Sequence, residues 1–268
     1  IYLMLGLCFL VFLYKSHVLT MHGAPPGSDP GNWMAFGHEL FGESVKAATV
    51  PYPPLIPALS KGFGFLFSPI TGMSILGAIV SVAIGIPFFL IAKQSAGGFW
   101  ALLFTFALLF LSYSSEMANW GGYPQILSQA LLLLTLYFLG KGLLQDRRGF
   151  VLLATLPATL TTGTSVLGFV LLTTTAGIFF SIAVIKEDID TRKSIARFLE
   201  WATATFLLSL VFLPVYLRTV ELRDQAGGFN PHGYTLATAG DALTYLFRDW
   251  TSLQAKKYNA VLPQADFA

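Results

Sequence analysis

Charge is what this chain has least of. Its 268 residues include 16 Lys and Arg against 14 Asp and Glu, 11% in all, where soluble domains carry roughly a quarter. The near balance leaves a net charge of +2, and no stretch interleaves basic and aromatic residues, so nucleic acid is set aside as a partner. Cys8 is the only cysteine; it excludes a disulfide within the chain and a zinc site built from thiolates, and says nothing of redox compartment. His22, His38 and His232 show no metal-ligand spacing. No GxSxG, HExxH or phosphate-loop pattern occurs, and no nucleotide or redox cofactor is expected.

What is present is oil. Hydrophobic residues make up 54% of the chain, 24 of them Phe, and mean hydropathy is +0.66. They fall into blocks near the roughly 20 residues a helix needs to cross a bilayer. The opening run Ile1 to Tyr14 has no basic start and no cleavage site, and is taken as the tail of a truncated first span. Ile70 to Ala92, Phe99 to Ser115 and Ile126 to Leu144 follow. The block from Phe150 to Ile185 would be about 54 Å long as one helix, against a hydrocarbon core of roughly 30 Å, so it must break. "TLTTGTSVLG", Thr159 to Gly168, is the expected place, around Gly163. Phe198 to Leu217 is the last span. The expected fold is all-α: a polytopic helical membrane protein of about seven transmembrane helices, with a short interfacial helix in its first outer loop. Residues 1–217 form the membrane module, including the outer loop 15–67, and 218–268 begin an outer-face segment expected to continue beyond "NAVLPQADFA".

Charge sets the expected orientation. The joints at Lys93, at Lys141 to Arg148 and at Lys186 to Arg197 are basic, whereas the joints between them carry no Lys or Arg, so the basic ones face the cytoplasm. The chemistry then gathers outside: Asp29, His38 and Glu39 in the first outer loop, Glu116, Asn119 and Trp120 in the second, and Glu221, Arg223, Asp224 and His232 after Arg218.

Within the first loop, "GSDPGNWMAFGHEL" opens with residues that favour a helix N-terminus, Ser28, Asp29 and then Pro30. Trp33, Phe36 and Leu40 share one face at helical spacing, which predicts an amphipathic helix lying in the outer interface. Asp29 either caps that helix or is an acid held at the membrane boundary. "VPYPPLIPAL" is a rigid return to the membrane. Glu116 is a solvated loop acid or a site acid, and Trp120 and Tyr123 suit an aromatic belt. Arg218, Arg223 and Lys61 are interfacial anchors or ligands for an anionic headgroup or phosphate.

"GSDPGNW" early in an outer loop, "YPPL" near its end, and "WGGYPQILSQALLLLTLYFL" after a second outer loop resemble the GT-C glycosyltransferases over roughly Ile1 to Leu217. The resemblance implies a polyprenyl-phosphate-linked sugar donor, an acceptor of unspecified kind, and a site on the extracytoplasmic face of a prokaryotic plasma membrane. It makes Asp29 the active-site carboxylate, a general base, and Glu116 a second catalytic carboxylate that binds a metal or orients substrate. It implies a divalent metal ion at Asp29 and Glu116 in those members that use one; Pro30 stands here where some members carry a second adjacent acid. Arg218 and Arg223 become the phosphate clamp, and Asn119, Trp120, Tyr123 and His38 line the substrate. A secondary transporter, suggested by the interrupted block at Gly163, and a non-catalytic polytopic scaffold are the alternatives.

Overall fold

A computed structural model describes residues 2–20, 29–42, 53–110, 121–185 and 191–215. These lie in one structural unit, Ile1–Leu222; a second, Arg223–Ala268, falls outside the described residues. The described residues form α1 (Tyr2–Thr20), α2 (Asp29–Leu40), α3 (Leu55–Leu66), α4 (Pro69–Ala83), α5 (Gly85–Phe110), α6 (Tyr123–Leu144), α7 (Arg148–Thr164), α8 (Val166–Ile185) and α9 (Thr191–Ser209), with a 3₁₀ turn at Leu210–Phe212 and no strand. Among them, five helical stretches are long and apolar enough to cross a membrane: Tyr2–Thr20, Pro69–Phe110, Tyr123–Leu144, Val166–Ile185 and Thr191–Val215. Over the described residues the protein is all-helical, and it is an integral membrane protein.

Three local features shape these helices. The first is a reversal inside α5. Gly97 has φ 79° and ψ 171°, a conformation essentially confined to glycine. In a straight helix Gly85 and Leu109 would stand about 36 Å apart. Instead, a Cβ placed on Gly85 would lie 3.2 Å from Leu109. The chain therefore folds back at Gly97, close to the basic joint expected at Lys93.

The second feature is the break in the long apolar block, which falls at Ser165 rather than Gly163. Ser165 is extended, and its hydroxyl accepts the Gly168 N–H at 3.1 Å, so one residue ends α7 and caps α8. Gly163 remains helical and serves close packing: a Cβ there would sit 2.5 Å from the Phe212 ring.

The third is the length of α1. The polar residues Lys15, Ser16 and His17 were expected in the outer loop, yet the helix continues to Thr20. Met4, Cys8, Val11, Lys15 and Leu19 recur every third or fourth residue as its buried stripe, so Lys15 faces protein and not lipid. Helical packing outweighs local polarity there.

Packing distinguishes two ends. At one, the Ser74 hydroxyl of α4 reaches the Leu19 carbonyl of α1, Tyr123 of α6 abuts Gly77 of α4, and Gly168 of α8 abuts Ser128 of α6. At the other lies the α6–α7 joint. There Asp146 takes a left-handed conformation (φ 48°) and the Arg147 N–H bonds the Gly142 carbonyl, a Schellman turn with Asp in the usual glycine position. Asp146 pairs with Arg197 at 2.9 Å and Arg148 with Glu200, which joins this turn to α9. Among the described residues, the end of α1, the starts of α4 and α6 and the α7–α8 break thus lie together, away from the basic α6–α7 joint.

Candidate functional site at one end of the bundle

The end holding the α6 N-terminus is built on α2. Pro30, in the first turn of α2, is buried. Trp33, one turn further, is 3% exposed and packs with Ile56 of α3, Met73, Leu76 and Val80 of α4, and Tyr123 and Ile126 of α6. Its indole N–H donates to the Gly121 carbonyl at 2.8 Å, and its own carbonyl accepts the Ser60 hydroxyl at 3.0 Å. Of the face expected to rest on lipid, Trp33 rests on protein, Phe36 is half-buried and Leu40 is exposed. Hydrophobic spacing marks a buried face but does not specify what buries it.

Two close approaches hold this layer together. A Cβ on Gly37 would meet the Pro57 carbonyl oxygen of α3 at 2.5 Å, and one on Gly72 would meet the Phe63 carbonyl carbon at 2.5 Å. Backbone thus touches backbone from α2 to α3 and from α3 to α4, and a larger residue would separate them. Tyr123, expected in an aromatic belt, is fully buried. Its hydroxyl sits against Gly77 and has no hydrogen-bond partner among the described residues.

His38 and Lys61 are brought together across α2 and α3, with Lys61 Nζ 3.0 Å from His38 Nδ1. An ammonium has only protons to offer, so Lys61 donates and the ring proton sits on Nε2. The pair borders a cleft of about 110 Å³ that Met34, Ser60, Phe65 and Pro69 also line.

Asp29 begins α2 by its backbone; its side chain lies outside the described residues, as do Glu116, Asn119, Trp120, Arg218 and Arg223. The pair proposed for a divalent ion belongs to this group. Among the described residues no three His, Cys, Asp or Glu side chains assemble as a metal site. What the structure does place is the segment that frames those residues. Trp33 is one turn from Asp29, and Gly121 directly follows Trp120, so their hydrogen bond ties the first outer segment to the end of the second. Sequence reasoning missed Lys15 and Ser60; the i, i+4 spacing of Val11, Lys15 and Leu19 was the available signal for the first, and nothing local marked the second. No family model, curated protein or solved structure matches the chain.

Proposed function

We propose that the protein is a membrane glycosyltransferase that moves a sugar from a polyprenyl-phosphate donor to an acceptor hydroxyl at the end carrying α2 and α3, on the extracytoplasmic side. The observation that carries the reading is the Trp33–Gly121 hydrogen bond, which holds the start of α2 and the segment after Trp120 at the same end. In the reaction, the acceptor oxygen attacks the anomeric carbon while the Asp29 carboxylate takes its proton. The bond from that carbon to the phosphate oxygen breaks, and the lipid phosphate leaves with its negative charge held by Arg218 or Arg223. Seven crossings fit this layout: the Gly97 reversal divides Pro69–Phe110 into two antiparallel arms, and α7 adds a helix of 17 residues.

The test is Asp29→Asn in the full-length protein, in membranes supplied with a radiolabelled polyprenyl-phosphate hexose or pentose. Loss of the general base lowers transfer by about 10² to 10⁴. Undiminished transfer removes Asp29 from the mechanism.

Transport is the second reading, favoured by the break at Ser165. Flux of labelled sugar into liposomes without transfer selects it.

A further inference from the structure

The first two turns of α6 carry polar groups that neither packing nor the proposed transfer chemistry uses. Gln125 and Gln129 stand four residues apart, so they share a helix face with about 5–6 Å between their Cβ atoms. Gln125 is exposed and Gln129 half-buried, and among the described residues neither carboxamide has a hydrogen-bond partner. The hydroxyl between them in the chain, Ser128, is committed to its own helix, donating to the Gln125 carbonyl at 2.9 Å.

Further along α6 the same face reads Leu132 and Leu136, both packed against the apolar cluster that includes Leu139, Ala158, Leu172 and Trp201. The face is therefore apolar where protein covers it and polar toward the end that Trp33 and Gly121 tie together. Tyr123–Leu144 is long and apolar enough to cross a membrane, and Gln129 lies about 9 Å along it from Tyr123. Gln125, in the first turn, is within reach of interfacial water. Gln129 is a turn deeper, where hydrocarbon would offer its carboxamide no hydrogen bond, so it calls for a polar ligand or a wetted hollow beside it.

The chemistry of the pair narrows that ligand. A carboxamide is neutral and offers two N–H donors and an acceptor oxygen, which complements a hydroxyl that both donates and accepts. Carrying no charge, the pair matches adjacent hydroxyls of a neutral sugar ring and not a phosphate. We propose that Gln125 and Gln129 bind the hydroxyls of the sugar carried on the lipid donor and so set which sugar the protein accepts. The proposal rests on the transferase reading for the source of that sugar.

The experiment uses the full chain in neutral detergent, titrated with undecaprenyl phosphate bearing glucose or arabinose and, for reference, with undecaprenyl phosphate alone. Bound lipid is counted by native mass spectrometry. The expected result is tighter binding of at least one sugar-bearing lipid than of the reference. Gln125→Leu and Gln129→Leu each lower that preference about fivefold, as loss of one neutral hydrogen bond would, and leave the reference lipid within about twofold of wild type. Leucine suits an apolar span, so both variants keep the helix. A preference unchanged in both variants overturns the proposal. So does an equal weakening of every lipid, which would mark a packing role, and so does a wild type that does not distinguish the lipids. Binding does not involve turnover. A protein that reads the sugar through both glutamines without transferring it loses the transferase reading and keeps the site, whereas transfer that depends on Asp29 beside an unchanged preference keeps that reading and loses the site.

Discussion

Replacing Trp33 separates the hydrogen bond that organises the site from the packing around it. The indole N–H reaches the buried Gly121 carbonyl at 2.8 Å, and the ring is 3% exposed. Removing the donor leaves that carbonyl without its partner in a place water does not reach, a cost of about 1–3 kcal/mol. Trp33→Phe adds a small cavity and about 1 kcal/mol more. Benzothienylalanine, which puts sulfur where the N–H was and keeps the ring area, isolates the first figure. Hydrogen exchange by mass spectrometry on the protein in detergent reads the effect locally, because opening of the Gly121 junction exposes the first turn of α6, where the Ile126 N–H bonds Gly122. Benzothienylalanine should speed exchange there by about tenfold and Trp33→Phe by more, with α8 unchanged. Exchange within twofold of wild type in the folded benzothienyl protein would refute the reasoning, since the bond would then carry no load.

Two further outcomes follow from backbone and buried polar groups. Gly97→Ala forces a side chain into the reversal at φ 79° and costs about 1–3 kcal/mol, whereas Gly98→Ala, with open space at its Cβ, leaves stability the same or improves it by up to about 1 kcal/mol; paired thermal inactivation half-lives distinguish the two. On the α7–α9 face, Thr205 Oγ1 is buried with no hydrogen-bond partner, so Thr205→Val is neutral or stabilising by about 1 kcal/mol, and a clear loss of thermal stability would show that the hydroxyl is satisfied in the membrane.

The helices were legible because blocks of Leu, Phe and Ile at spanning length have no other stable form in lipid, where every backbone polar group must be paired internally. The break in the long apolar block was legible from breaker and capping residues, with the roles of Gly163 and Ser165 exchanged, whereas the end of α1 was placed too early. Gly163 and Ser165 both lie in the segment expected to break. A serine hydroxyl aimed at Gly168 does the capping, while the glycine accommodates Phe212, and only the three-dimensional partner separates those roles. What was not legible depends on contacts distant in sequence. Trp33 shows an apolar face in either setting, on lipid or on α4. Tyr123 looks like a belt aromatic until Gly77, on another helix, is known to receive its ring.

Lys15 bears on the choice between transferase and transporter. With the helix continued to Thr20, a lysine that is 6% exposed lies on the packed face of an apolar stretch. A charge at mid-membrane marks an ion path, and there Lys15 would favour transport. Its position along α1 points instead toward the proposed transfer. Lys15 is five residues from the last residue of α1, about 8 Å along the axis, and Leu19, one turn beyond it, is bonded to Ser74 near the start of the α4 stretch. Lys15 therefore sits just beneath the end where α2, α3 and the α6 N-terminus assemble. A cation at that depth strengthens the local field on an anion at the bundle's mouth, an arrangement the proposed transfer would use.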